Sequence, residues 1–482
     1  MVTTATSTPP RPSDEEEWKE AAEDVPADSV NHLEGRIFPL GLEALLKKQA
    51  IEFHAEFAKM ETKIHRLPPS LQGLDPRYSV PKAVAIGPYH RRSPHLQKMD
   101  MVKNVATRHF IIGIFRSCEE MYAAFCSAIG DVDVRSLYDV LTDDAVAGMS
   151  DDEFLTMMLV DGCFLLQYML KCTGNHHRMP PSLVSFFDAN QSVIDNDIML
   201  LENQLPWVVI QTLRKFKKVP VEKFIAKMGR TLQVARKEEE HDRIFALGGY
   251  TPPHLLGLLR LYKAPRYTVV PNNQDESFSL INCCYCYNNS GVPPSDGFRP
   301  MSKTVSAIEL AEIGIKLTAS RTTKFKDMGF KKKLFGSEIF LAPLLLDEIR
   351  SCWLLNLAAL ELCTATSSNE TENQAICSYL AVLAMLMDRE DDVHKLRSKR
   401  LVQGELTNKE TLDFFKSLIK RVSGGPLYIH IMEEIEDYKL KRWMWIKVHA
   451  FVYNNYKMIT AVLSIVGVLV GMFKALFSLK RH

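Results

Sequence analysis

Two acidic residues in apolar surroundings are the first candidates for chemistry in this chain. Asp161 stands inside the run Phe154 to Lys171, and Glu202 closes the run Ile194 to Leu205. A carboxyl group removed from water has its pKa raised, and a raised carboxyl can serve as general acid or base. The same groups can instead hold helix ends and satisfy buried amides, with Asn203 and Gln204 beside Glu202 as partners. The structural role is the commoner one, because capping and ion-pair networks also perturb carboxylates. Cys163 follows Asp161-Gly162 and invites comparison with a nucleophile that has His90 as its base. A catalytic thiol needs partial exposure and a positive neighbourhood, whereas Cys163 lies on a segment that is apolar nearly all round. His90-Arg91-Arg92, after the Gly87-Pro88 turn, is a candidate anion site, since arginines and turn N–H groups suit phosphate. Its alternative is a packed turn with solvated arginines. P-loop, dinucleotide-binding, kinase, HExxH and GxSxG patterns do not occur. No residue is therefore assigned a catalytic role, and no cofactor is implied.

Of the ten cysteines only Cys283 and Cys286 stand at CxxC spacing, and the rest are spread through helical segments, which points to reduced thiols packed as small apolar residues. The cluster Cys283-Cys284-Tyr285-Cys286 lacks the second pair that a zinc site uses, so no metal is assigned.

The elements that must position these residues are mainly helical. A chain of 482 residues, 46% hydrophobic and 24% charged, has ordinary globular composition. Its 59 basic and 58 acidic residues leave a net charge of +1, so no global field recruits nucleic acid. The N-terminus has no basic or apolar signal region and reads as a disordered tail over residues 1–30. An amphipathic helix is expected over Leu33 to Ile64, a short β run at Val84-Ala85-Ile86, and a helix over His95 to Ala128. Ser150 with Glu153 reads as a capping box in front of a central core helix, Phe154 to Lys171. A second apolar helix is expected over Ile194 to Leu205, then one from Trp207 to Phe216. Residues 263–300 gather Pro, Asn, Ser and Gly and read as an irregular insertion or linker. Beyond it, helices are expected over Thr304 to Leu317, Leu344 to Thr364, Ala375 to Met387, Lys409 to Arg421 and from Leu427 onward, with a strand at Phe335 to Leu341.

Met458 to Phe473 contains no charge and no proline, and apolar residues resume from Ala475 to Leu479. Counted through Leu479, the segment is long enough to span hydrocarbon, with Lys474 snorkelling to the interface. Trp443, Trp445, Tyr453 and Tyr456 precede it, where aromatic rings favour the headgroup layer. Lys439, Lys441, Arg442, Lys447 and Lys457 outnumber Lys480 and Arg481, so the large domain is expected in the cytosol. Asn190, Asn288 and Asn369 head Asn-X-Ser/Thr triplets that would accept glycans if it faced the lumen. Gly467 and Gly471 form a GxxxG pair, a weak signal for self-association.

Three runs follow one another in order: Ala85-Ile86-Gly87-Pro88-Tyr89-His90, Met157 to Leu166 including Asp161-Gly162-Cys163, and Asp197 to Pro206 including Leu201-Glu202-Asn203-Gln204-Leu205-Pro206. Together they resemble the plant family called domain of unknown function 247. Weaker likenesses lie at His254-Leu255-Leu256, Ser306 to Gly314, Ile339 to Pro343, Asn356 to Glu361 and Asp391-Asp392-Val393. The resemblance implies a single-pass membrane protein without an established activity. Some grass members lie at self-incompatibility loci, which implies a recognition role on the pollen side. These motif residues, Gly87 to His90, Asp161 to Cys163 and Leu201 to Pro206, are expected to be structural.

The expected organisation is a tail (1–30), a helical part (31–262), a linker (263–300), a second helical part (301–455) and a transmembrane anchor (456–479). The expected function is a membrane-anchored interaction or recognition module with an unknown protein partner, at the plasma membrane as the leading candidate. A hydrolase or transferase using the buried carboxylates, and a self-associating membrane scaffold, are the alternatives.

Overall fold

The computed structural model describes residues 42–138, 146, 148–233, 251–265, 305–320, 322–333, 336–364 and 374–479. The 1–30 tail, the three-cysteine cluster, Asn288, Asn369, Lys480 and Arg481 lie outside them. The chain divides into two units, residues 1–59 and 60–482. In the first, helix α1 (Leu42–Ala58) carries Leu45, Leu46, Ile51 and Phe53 more than half exposed. It stops short of Ile64, giving way to a one-turn 3-10 helix at Met60–Thr62.

The second unit opens with irregular chain to Gln97, then α2 (Lys98–Ile111) and α3 (Cys118–Ile129). The single helix expected over 95–128 breaks between them, where Gly113 takes φ +81° and Ser117 caps α3 by accepting from Glu120 N. Such a φ is one that glycine adopts without steric cost. Helix α4 (Asp151–Cys172) begins as expected, with Ser150 Oγ accepting from Glu153 N at 3.2 Å. Nearly every residue from Met157 to Lys171 is buried, which requires a helix apolar on all faces. Among residues whose side chains are described it alone has the length and apolarity of a membrane span, yet 78% of its apolar window is enclosed by protein, while a shorter apolar stretch, Thr460–Met472, lies in the last helix.

Helices α5 (Pro181–Ala189), α6 (Gln191–Asp197), α7 (Trp207–Phe216), α8 (Val221–Thr231) and α9 (Leu255–Lys263) follow. The helix expected over 194–205 ends at Asp197, and residues 198–206 are turns and irregular chain. Pro206 disfavours helical backbone at Leu205, and the Asn203 and Gln204 side chains compete for nearby backbone groups.

Helix α10 (Ala307–Glu312) has a full capping box from Ser306 and Glu309. The helix expected to continue to 317 stops at Gly314, φ +86°, and becomes strand β1 (Ile315–Ala319). Strand β2 (Gly329–Lys332) runs antiparallel to β3 (Ser337–Leu341), which runs parallel to β1. Strand β4 (Leu344–Leu346) takes the residues expected to start the next helix, because β5 (Val402–Gly404) pairs with it in parallel. Helix α11 (Glu348–Cys363) then starts at Asp347, whose side chain accepts from Arg350 N. Helices α12 (Ala375–Met385), α13 (Glu390–Ser398), α14 (Asn408–Ile419), α15 (Pro426–Lys441) and α16 (Trp443–Leu479) complete the chain. The fold is thus mainly helical, with sixteen helices among the described residues.

One hydrophobic core runs from Ile64 to Tyr438. The helical parts delimited by sequence at 262 and 301 share it. Arg260 Nε lies 3.1 Å from Glu361 Oε1, and Leu201 N donates to Asn356 Oδ1 at 2.8 Å. Arg421, after α14, donates to Ser70 O at 3.3 Å and Gln72 O at 2.8 Å, closing the first segment with the last. Helix α16 differs from the rest. Val462, Leu463, Ile465, Val466, Val468, Leu469, Val470 and Met472 are 49–63% exposed.

Candidate functional site

The stretch from Ile64 to Leu96 has no sheet ladder for its backbone, apart from one bridge between Ile64 and Tyr138. Backbone groups withdrawn from water must find partners elsewhere, and here side chains of the neighbouring elements supply them. Asp197, at the end of α6, accepts from Lys82 N at 2.9 Å, Ala83 N at 2.7 Å and Val84 N at 2.9 Å. Asn203 Oδ1 accepts from Ile86 N at 2.6 Å, and its Nδ2 donates to Val84 O and Asp197 O, both at 2.9 Å. Asp161 Oδ2 accepts from Gly87 N at 2.9 Å, and Lys103 Nζ reaches Asp161 Oδ1 at 2.6 Å. The residues Val84-Ala85-Ile86 are therefore not a strand, since Asp197 and Asn203 take the bonds a neighbouring strand would have made.

Gly87 is required where it stands. Its φ is +78°, and an added Cβ would lie 2.7 Å from Gln204 O and 2.8 Å from Tyr138 Oη. Gly162 packs just as closely, against Leu213 of α7. Leu201 and Leu205 are buried, and Pro206 leads directly into α7. Gln204 Nε2 donates to Ile198 O at 2.8 Å and Leu200 O at 2.7 Å, and its Oε1 accepts from Leu256 N at 3.1 Å.

Glu202 faces the other side of the Pro88 turn. It accepts from Leu67 N and Arg66 Nη1, each at 2.8 Å, and His90 Nε2 stands 3.5 Å from Glu202 Oε2 without hydrogen-bond geometry. The Arg66 guanidinium also covers the Tyr89 ring at 3.9 Å, and Tyr89 Oη donates to Ile64 O at 2.9 Å. Burial raises the Glu202 pKa, but His90, Leu67 N–H and Arg66 outweigh it, so the group is held below its ordinary value. A carboxylate held ionised in this way is a weak proton acceptor. Burial pushes the Asp197 carboxyl up, against its three N–H donors. Burial likewise pushes the Cys163 thiol far above its usual range, the reverse of an activated nucleophile. Of the four residues considered for chemistry, His90 and Glu202 meet, while Asp161 and Cys163 are sealed in the core.

Similar clamps recur in the later segments. Glu361 accepts from Ile376 N and Cys377 N, each at 2.9 Å. Asp392 accepts from Ile308 N at 3.0 Å, Asp388 N at 3.2 Å and Arg389 N at 3.0 Å. His254 Nδ1 caps α9 by accepting from Gly257 N at 3.3 Å. An open cleft of 330 Å³ lies beside the Pro88 turn, lined by Arg91, Arg92, Gln97, Asp100, Met149 and Glu153.

Two of the three strongest runs of likeness supply clamping side chains, Asp161 in one and Asp197, Glu202, Asn203 and Gln204 in the other, and backbone of the Ala85–His90 run is held by both. The profile of domain of unknown function 247, described as plant protein of unknown function, matches residues 64–470. The chain belongs to this family. It is similar to a UPF0481 protein of Arabidopsis thaliana, with 28% identity over 370 residues, 74% of this chain and 72% of that one. No solved structure matches it. For the family member described here, sequence reasoning missed Lys103 and the role of Asp197. A signal for Lys103 exists: it falls between Met99 and Ala106-Thr107 on the buried face of α2, a position where lysine needs a partner. Among the described residues no group of His, Cys, Asp or Glu is arranged to hold a metal ion.

Proposed function

We propose that this protein is a membrane-tethered recognition module, with α16 as its anchor and the helical domain as its binding part. The observation that carries the anchor is the exposure of α16. Met458 and the apolar residues from Val462 to Met472 face away from protein on every side of one continuous helix. Met458 to Leu479 rises about 33 Å at 1.5 Å per residue, against ~30 Å of hydrocarbon. Lys439, Lys441 and Arg442 before it and Lys447 near its start support a cytosolic domain, and the plasma membrane is the proposed location. The recognition reading is supported by how the polar motif residues are used. They fix a long irregular segment, and rigid irregular segments are where binding surfaces are commonly built. A role of the self-incompatibility type is the narrower proposal and rests on family likeness alone.

The test expresses the full-length chain in plant cells. Carbonate-resistant sedimentation, protease access to the domain and an unglycosylated Asn190 are the expected results. Extraction by carbonate would overturn the anchor, and a protected, glycosylated domain would overturn the orientation. A second reading, hydrolysis or group transfer, draws on the His90–Glu202 contact. It requires that Glu202→Gln abolish an activity while the fold stays intact.

A further inference from the structure

We infer that the cleft between the Pro88 turn and the starts of α2 and α4 binds a small zwitterionic phosphate monoester. Its phosphate would sit on Arg91 and Arg92, and its ammonium on Glu153 and Asp100. The charges around the cleft carry the inference. Among the described residues neither Arg91 nor Arg92 forms an ion pair, although two carboxylates line the same 330 Å³. Glu153 has no ion-pair partner among them either, and Asp100 stands 4.0 Å from Lys103 Nζ. A ligand bearing both charges satisfies all four groups at once, whereas a simple anion would meet the carboxylates as like charges. Two guanidiniums match a dianion, and their planar donors suit phosphate oxygens.

The cleft is also rigid from below. Arg91 N donates to Pro88 O at 3.3 Å and Ser93 N to His90 O at 3.1 Å, closing the turn that carries both arginines. Gly87, at its base, is bonded to Asp161. Asp161 on α4 pairs with Lys103 on α2, so one buried ion pair joins the two helices whose first turns flank the opening. Gln97 precedes α2 and Met149 precedes the Ser150 cap of α4, so side chains at both helix starts line the cleft, with Asp100 and Glu153 in the two first turns. The volume lies at the small end of ligand sites, which suits a molecule the size of O-phosphoethanolamine.

The experiment titrates O-phosphoethanolamine, inorganic phosphate, ethanolamine and glycerophosphoethanolamine into the full-length protein in a phosphate-free detergent, followed by calorimetry. O-Phosphoethanolamine should bind saturably, at least tenfold tighter than inorganic phosphate. Arg91→Ala with Arg92→Ala should weaken it tenfold or more, and Glu153→Gln should reduce it to the level of inorganic phosphate. These side chains are outside the core, so thermal midpoints should stay unchanged; Arg91→Lys with Arg92→Lys provides a milder second variant. Absence of saturation, or binding untouched by both double variants, overturns the site. Equal affinity for inorganic phosphate overturns the zwitterionic ligand, and a preference for glycerophosphoethanolamine replaces the monoester with a lipid-type diester.

Discussion

Lys103 Nζ stands 2.6 Å from Asp161 Oδ1, and the two side chains are 3% and 1% exposed. Breaking a buried pair from one side leaves a charge without compensation, at about 3–5 kcal/mol. Lys103→Met should therefore destabilise the domain by that order. Asp161→Ala should be worse, because it also orphans Gly87 N–H, worth a further ~1–3 kcal/mol. Combining the two should cost less than their sum. Urea unfolding of the four proteins checks this, and strictly additive losses would show that the pair is not energetically coupled.

Gly73 and Gly87 offer a matched comparison, since both have φ +78°. A Cβ at Gly73 meets nothing within 4 Å, whereas at Gly87 it meets Gln204 O and Tyr138 Oη below 3 Å. Gly73→Ala should cost about 1–2 kcal/mol for left-handed backbone alone. Gly87→Ala should cost clearly more, or prevent folding. Equal melting temperatures for the two variants would contradict the described turn.

His254 sets an acid limit. Burial, with His65 nearby, lowers its pKa from 6.5 to about 3. The folded state therefore holds the neutral ring, while the unfolded chain takes up a proton below its ordinary pKa. Stability from this residue is full above pH 6.5 and falls as pH drops towards 3, by at most about 1.4 kcal/mol per pH unit. His254→Asn keeps a side chain able to cap α9 but cannot titrate. Its stability should decline less between pH 7 and pH 4 than that of the parent protein, and parallel curves would exclude His254 as the cause.

Helix α16 makes the proposed anchor testable without deleting it. Leu469 lies near the middle of the exposed apolar run, and arginine there carries about 2.5–3.5 kcal/mol against insertion. Leu469→Arg should shift protein from the carbonate-resistant pellet to the supernatant, whereas Leu469→Phe should not. Identical partitioning of the two would count against a spanning helix.

The parts of this structure with a local period were legible in the sequence. Ser150 and Glu153 mark the start of α4, whose uniform apolarity announces a central helix, and Pro343 marks the end of a strand. The segment from Leu201 to Pro206 is recognisable as a unit, but its apolar pattern suggests a helix up to Leu205. Its conformation is decided by Asn203 and Gln204 bonding to backbone, and hydrophobic period does not register such bonds. The chain from Ile64 to Leu96 has no period at all, because its partners lie more than a hundred residues away in Asp197, Glu202 and Asn356. The site followed the same rule. Glu202, Asp161 and His90 could be nominated from type and setting, but only geometry shows that His90 and Glu202 meet, or that Lys103 holds Asp161.

The closure of Ser70 and Gln72 by Arg421 has a consequence for biosynthesis. A chain emerges from the ribosome N-terminus first, so residues 64–90 must wait for Asp197, then for Asn356, then for Arg421. Until then their N–H groups face water, and the apolar surface meant to lie beneath them stays open to chaperones or to aggregation. The final clasp leaves the ribosome shortly before α16 does. The segment that emerges among the first of the core is thus the last to be closed.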